Sequence, residues 1–399
     1  MKAPQTLAPA LPTPGRWGRV RNVLAVRLDN LGDVLMTTPA LAALRESLPE
    51  ARLTLLASPA GARLAPHLPM LDAAIEWRAP WVKQPDSMPD ELAETGCAER
   101  RLIDRIAEHR FDAAIVFTTC TQSALPAALT CRLAGIPLRL AHSRENPYRL
   151  LTDWVPDPDV VRNGMRHEAA RQLALVASIG CSTADERLRF EVGAAASLGL
   201  PGELRRAGLE PRQRYVVIHP GASAPSRRWP AERFGIAADR IAARTGRAIV
   251  FSGDASEQPL IEAARAAMTR PAFSLAGRLD LGQLGALIEG ADLLVANNTG
   301  PVHIAAALGT PVVDLYALTN PQHTPWRVAS RVLSHDVPCR NCLKSVCPQG
   351  HHECLRGIEP AAVVSAAVAL LAIEAPVSAL RMHSAYGRRR RDLPLELQG

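Results

Sequence analysis

The sequence predicts an α/β protein built from two doubly wound, largely parallel sheets. Three observations carry that expectation: the length, a repeated alternation of short apolar runs with amphipathic stretches, and one central segment where the alternation fades. At 399 residues the chain exceeds what one ordinary core serves and accommodates two domains of well over ~100 residues each. Alternating strand and helix patterns indicate βαβ units and hence parallel strands.

Residues 1–18, rich in Pro and Ala and without the order of a signal peptide, read as a loose arm. The runs VLAV (23–26), LTLLA (53–57) and AAIVF (113–117) then supply strands of a first domain over residues 19–195. Through EVGAAASLGLPGELRRAGLEPR (191–212) Gly, Pro and Arg replace periodic apolar positions, which places a linker at 196–212. YVVIH (215–219), AIVF (248–251), DLLVA (292–296) and PVVDLY (311–316) begin a second series, giving a domain over 213–375. Its first helix is signalled by Pro230 at the first turn and by Phe234, Ala237, Ala238, Ile241 and Ala242 recurring on one face. The longest apolar run, Ala361 to Ile373, stops at Glu374 and Pro376, well short of the ~20 residues that span a bilayer. It reads as a buried helix. The tail 376–399 carries Arg388–Arg391, which either solubilises the chain or is drawn to anionic headgroups.

Two such domains bind ligands at the carboxyl ends of their strands, expected here to face one central cleft. Hydrophobic residues at 47% and charged residues at 21% are globular proportions, and aromatics at 4% argue against base-stacking platforms. Eight cysteines without an export signal point to a reducing cytoplasm. A net charge of +7 favours anionic partners: nucleotides, phosphorylated lipids or nucleic acid.

Neither G-x-G-x-x-G nor G-x-x-x-x-G-K-[ST] occurs, so the common dehydrogenase and P-loop readings recede. In RLDNLGDVLMTTPAL (27–41), Gly32 permits a tight turn and Asp33 opens a helix whose dipole favours its ionised form. Asp33 is either a candidate base or an ordinary helix cap. In HPGASAPSRRWP (219–230), small residues including Ser223 leave room for a ligand, and Arg227 and Arg228 can grip a diphosphate, unless they are simply solvated. In ANNTGPVHIAAALGTP (296–311), Asn298 or Thr299 caps a helix, and Gly300 and Pro301 open it. Its free amides make an anion seat, and His303 faces either a ligand or the core. CRNCLKSVCPQGHHEC (339–354) gathers half the cysteines. Cys339, Cys342, Cys347 and Cys354 can supply a structural zinc site or remain reduced thiols in a surface loop.

Taken together, LGDVLMTTPAL (31–41), HPGASAPSRRWPAERF (219–234) and NNTGPVHIAAALGTPVVDLY (297–316) resemble, in order, the motifs of family 9 glycosyltransferases. That group includes the ADP-heptose:lipopolysaccharide heptosyltransferases. The cysteine-rich segment resembles one found in many members, and the likeness runs from about Val20 to about Ile373. The resemblance implies a GT-B architecture with an N-terminal acceptor domain and a C-terminal nucleotide-sugar domain. It also implies inverting transfer with no metal or other cofactor needed for catalysis, from a donor such as ADP-heptose to a phosphorylated lipopolysaccharide core. Asp33 matches the family's base, and Arg227 stands where a lysine supports the diphosphate. Thr299, Gly300 and His303 match its D-[ST]-G-x-x-H segment, and Glu257 falls near a glutamate that contacts the ribose.

One departure stands out: Asn298 replaces the aspartate of that segment, which loses a charge, gains donors and opens the choice of sugar. Arg100, Arg101, Arg144 and Arg149 are cations that could meet acceptor phosphates, and the implied location is the cytoplasm, peripheral to the inner membrane. The rival enzyme readings are a family 9 transferase using another nucleotide sugar and a sugar-nucleotide epimerase. A catalytically dead scaffold is a further reading. A nucleic-acid-binding protein would draw on the charge and the Cys/His cluster, but basic and aromatic residues do not interleave.

Overall fold

The computed structural model describes residues 14–82, 96–162, 164–210 and 212–373, together with the backbone of 395–396. Contacts divide the chain into two units: the first holds 14–161 and 168–186, the second 162–167 and 187–373.

Each unit is a parallel sheet covered by helices. In the first, β1 (Asn22–Arg27), β2 (Arg52–Ala57), β3 (Ala73–Glu76), β4 (Ala113–Val116), β5 (Leu138–Ser143) and β6 (Asp153–Pro156) are ordered 3-2-1-4-5-6. In the second, β7 (Tyr215–His219), β8 (Ala248–Phe251), β9 (Phe273–Ser274), β10 (Leu293–Asn297), β11 (Val312–Leu315) and β12 (Ser330–Leu333) are ordered 12-11-10-7-8-9. A short β13, Leu395–Glu396, adds a parallel strand outside β3. The strands read as continuous apolar runs because helices cover both faces. Leu24, Val26, Leu56, Ile106 and Val116 pack one core, and Val216, Phe234, Phe251, Val295 and Val363 the other.

In both sheets the strand order reverses beside the first strand of the unit. β1 pairs with β2 on one side and β4 on the other, and β7 does the same with β8 and β10. Chains leaving such neighbours diverge to opposite faces and open a crevice at the carboxyl ends, the usual ligand position in open α/β sheets.

Several expected segments are reshaped by tertiary packing. The loose arm ends early, since Pro14–Trp17 forms a helical turn and Trp17 and Val20 are buried. Residues 194–206, overlapping the expected linker 196–212, form a helix that packs on Leu281–Gly290 and buries Leu200 and Leu204. Its Ala- and Gly-rich face lacks a wide apolar stripe because, among the described residues, its one extensive helix contact is with Leu281–Gly290. Arg388–Arg391 lies outside the described residues. The helices Ala231–Thr245 and Pro360–Ala372 form where the periodicity predicts them, with Pro230 as the N-cap of the former.

Gly235 marks a close approach of two helices. A Cβ there would stand 1.9 Å from the carbonyl oxygen of Ala264 in the helix Gln258–Ala266. Because backbone cannot step aside as a side chain can, Gly235→Ala should destabilise the second unit by about 1–3 kcal/mol in chemical unfolding.

Candidate functional site

At the β1/β4 reversal, β1 delivers a guanidinium rather than a phosphate cradle. Arg27 ends the strand fully buried, with Nη1 hydrogen-bonded to Glu168 Oε1 at 2.9 Å. Nε lies 2.9 Å from Asp29 Oδ2, and Nη2 lies 3.4 Å from Asp33 Oδ1. One cation thus serves three carboxylates. Burial alone would lower the Arg27 pKa, but Asp29, Glu168 and Asp33 together raise it. Burial pushes the Asp29 carboxyl up against the pull of Arg27, with Asp33 adding to the rise.

Of the two roles weighed from the sequence, the structure shows the helix cap. Asp33 is the third residue of the helix Leu31–Ser47, and its Oδ2 accepts the Asn30 amide at 3.1 Å as part of a capping box. Of the three acid side chains it is also the most open, 13% exposed against 9% for Asp29 and 0% for Glu168. Gly32 occupies the first helical turn and takes no positive φ, so its expected tight turn is replaced by helix.

The rest of this network comes from far along the chain. The helix Glu168–Ala177 packs on Leu31–Ser47 and delivers Glu168, Arg171 and Gln172. Gln172 Nε2 donates to Glu168 Oε1 at 2.7 Å and to Thr118 O at 2.9 Å, while Arg171 Nη2 meets Asp157 Oδ2 at 2.7 Å. Gln122, in the loop after β4, donates to Asp29. Arg27, Glu168 and Gln122 escaped the sequence reading; the one local signal was a cation closing an apolar strand. Arg100, Arg101, Arg144 and Arg149 are exposed, the first pair on the helix Cys97–Glu108 and the second in the turn between β5 and β6.

At the β7/β10 reversal, one unanticipated residue joins the two expected loops. Asn297, the last residue of β10, donates Nδ2 to Pro220 O at 2.7 Å, and its Oδ1 accepts the Trp229 amide at 3.0 Å. The 220–229 loop is thereby tied beside the start of the helix Gly300–Leu308. Thr299 is that helix's N-cap but makes no side-chain cap, since its Oγ1 donates to Asn297 O, and the first amides stay uncapped by a side chain. Thr299, Gly300 and Pro301 are partly exposed.

Arg227 is half-buried, and its guanidinium has no hydrogen-bond or ion-pair partner among the described residues. Arg228 is exposed and donates Nε to Ala222 O at 2.7 Å; Ser223 is exposed. Glu257 lies under the same turn: its Oε2 accepts the Asp254 amide at 3.0 Å and sits 3.8 Å from His219 Nε2. A Cβ on Gly221 would fall 1.8 Å from Glu257 Oε1, so the turn after β7 closes over this carboxylate only because residue 221 is glycine.

His303 is buried, with Nδ1 sealed and unpartnered, and burial drives its pKa down to about 3, helped by His323, His167 and Arg227. A ring this reluctant to protonate is no acid at neutral pH. Asn298 donates Nδ2 to Asp314 Oδ2 at 3.0 Å and to His323 O at 2.8 Å. Asp314, in the middle of β11, was overlooked although a carboxylate inside an apolar strand is itself a signal.

Burial raises the Asp314 pKa to about 8 against the pull of the Asn298 hydrogen bond. Between the unfolded value of 3.8 and about 8 the folded state holds a proton that the unfolded state has released. Stability from this group therefore falls as pH rises through that window. Asp314→Asn removes the titration, so unfolding free energies measured at pH 4 and pH 8 should shift in favour of the variant by up to about 5 kcal/mol.

The cysteine segment supports the Arg227 loop. Ser226 donates its amide to Ser345 O at 3.1 Å and its hydroxyl to Lys344 O at 2.9 Å, while Leu343 N meets Thr319 O at 2.9 Å. Cys339, Cys342, Cys347 and Cys354 line one cavity with His351 and His352, with Cys339 Sγ 3.7 Å from His351 Nε2. Among the described residues no three Cys, His, Asp or Glu side chains converge closely enough to hold an ion, so the thiols form no ready tetrahedral zinc centre. Among the same residues no helix is long and apolar enough to cross a membrane.

Comparison with known proteins gives concordant matches. The sequence model of glycosyltransferase family 9 (heptosyltransferase) matches residues 99–352. The chain is 25% identical over 303 residues to lipopolysaccharide heptosyltransferase 3 of Escherichia coli, covering 74% of this chain and 83% of that protein. Among solved structures, a family 9 glycosyl transferase from Veillonella parvula superposes with a TM-score of 0.72 at 22% identity, covering 88% of this chain and 97% of that one. The E. coli ADP-heptose lps heptosyltransferase II does so with a TM-score of 0.67 at 24% identity, covering 88% and 98%. The architecture of two Rossmann-like domains is shared with both.

Proposed function

The chain belongs to glycosyltransferase family 9, and from that premise we propose that it transfers heptose from ADP-heptose to a lipopolysaccharide core or a related phosphorylated glycolipid. The relative named above is a lipopolysaccharide heptosyltransferase, and a neighbouring structure is described by ADP-heptose. The observation that carries the reading is the pairing, at one strand reversal, of the Arg227 guanidinium, unpartnered among the described residues, with a helix start at Thr299–Gly300 that no side chain caps. Cation and amide dipoles together suit a diphosphate.

In the proposed reaction Asp33 takes the proton of an acceptor hydroxyl, whose oxygen forms a bond to C1 of the sugar. The bond from C1 to the diphosphate oxygen breaks, C1 inverts, and the electron pair leaves with the nucleoside diphosphate. Arg227 and the amides near Thr299 and Gly300 stabilise that charge, Glu257 is assigned to the ribose, and Asn298 to the sugar hydroxyls. A positioned base is worth ~10²–10⁴ in rate and one preorganised donor ~10²–10³. Holding both substrates supplies much of the rest. The step needs no metal or cofactor, and the reading places the enzyme in the cytoplasm at the inner face of the membrane, with no role for nucleic acid.

Asn298 also favours a second reading, transfer of a different sugar or from a different nucleotide, because the family segment has an acid there. A thermal-shift series with ADP-, UDP-, GDP- and dTDP-sugars separates the two. A donor at ~100 times its Kd adds ~2.7 kcal/mol of stability. A melting point unmoved by every nucleotide sugar rules out both.

A further inference from the structure

Asn298 looks like a loss of function at a donor-contacting position, and its surroundings argue the opposite. An amide nitrogen carries two hydrogens and no acceptor capacity. Here one hydrogen goes to Asp314 Oδ2 at 3.0 Å and the other to the backbone carbonyl of His323 at 2.8 Å. A flipped amide would set Oδ1 against a carbonyl oxygen, which accepts at every pH, so the orientation is fixed by the partners. The oxygen is thereby turned away from both. Asn298 is 7% exposed. Its Oδ1 accepts no hydrogen bond within the described residues and is not among the sealed, unpartnered atoms. It is therefore an atom through which Asn298 meets solvent.

Asp314 has no other visible work. It lies on β11 opposite Ala296 of β10, two residues before Asn298, and is completely buried. Its Oδ2 accepts from Asn298, and its Oδ1 is sealed without a partner. A carboxyl buried with half its acceptors idle costs stability, and a valine would fit the strand pattern of VVDLY better.

We propose that Asp314 is a positioning residue for the nucleotide-sugar site: it locks the Asn298 amide so that Oδ1 alone faces the donor and accepts a hydroxyl of its sugar. Asn298 then does the hydrogen-bonding work of an aspartate without carrying a charge. The inference rests on the reading that the β7/β10 reversal holds the donor, and it selects donors with a free hydroxyl at that point over deoxy analogues.

The test compares Asp314→Val with Asp314→Asn in the full-length protein. Val removes the anchor; Asn keeps an oxygen to accept from Asn298. Asp314→Val should raise the donor KM about tenfold, with kcat changed less than threefold and a melting point equal to wild type or higher. Asp314→Asn should stay within twofold of the wild-type KM. Because Asp314 acts through Asn298, adding Asp314→Val to Asn298→Ala should change the donor KM no further. A wild-type KM in Asp314→Val, or full additivity in the double variant, overturns the inference; Asp314→Ala serves the same comparison if the valine variant does not fold. Failure of the underlying reading looks different: the wild-type protein itself then neither turns over nor binds any nucleotide sugar, and the inference falls with it.

Discussion

Asp33→Asn should lower turnover at least a hundredfold while leaving the donor KM within about twofold. The amide keeps the shape of the carboxylate and one acceptor for the Asn30 amide, so the capping box survives and any loss of stability stays below about 1 kcal/mol. What it removes is the capacity to take a proton, worth ~10²–10⁴ to a transferase whose acceptor is an alcohol. The donor groups assigned above all lie in the second unit and Asp33 in the first, which is why binding and turnover should separate. Steady-state kinetics beside a thermal melt of the variant decides the matter. A variant that melts normally and transfers at the wild-type rate would remove Asp33 as the base.

The second large effect is on stability. Arg27→Met should cost about 3–5 kcal/mol, because it takes the shared cation from three carboxylates of which two are almost fully buried. For a unit of this size that corresponds to a melting point lower by roughly 10 °C. Arg27→Lys should recover only part of the loss. Arg27 meets its three partners through three different nitrogens, and a single ammonium cannot reproduce that fork. Replacing Glu168 by Gln in the Met background should restore part of the stability by removing one uncompensated charge. An Arg27→Met protein that melts with the wild type would mean that these carboxylates are already neutral in the folded state.

How far the site could be foreseen differs between its halves. Asp33, Arg227, Thr299 and Gly300 lie in the segments that follow strands whose apolar runs are unmistakable, and in an open parallel sheet ligands bind beyond the carboxyl ends of the strands. Asn297 and Asp314 were equally visible as letters, yet nothing local distinguishes a polar side chain that ties two loops from one that faces water. His303 could be placed on its helix but not on a face of it, and its burial is set by the surrounding fold. The helix Ala194–Arg206, which overlaps the expected linker 196–212, was not foreseen because Ala and Gly give little periodicity, and it packs on the Leu281–Gly290 neighbour.

By itself the sequence determined the class of fold, the runs of the central strands of both sheets, and which loops are candidates to carry the chemistry. Apolar periodicity, proline and glycine placement and helix-start signals all act within about ten residues of chain. Only the tertiary structure decided how the charges are shared. Glu168 reaches Arg27 across 141 positions, Asn297 reaches Pro220 across 77, and Asn298 meets Asp314 because β10 happens to lie beside β11. A buried ionic or amide group is tolerable only with its partner in place, and which partner it finds is set by strand order, a property of the whole sheet that no short stretch of residues contains.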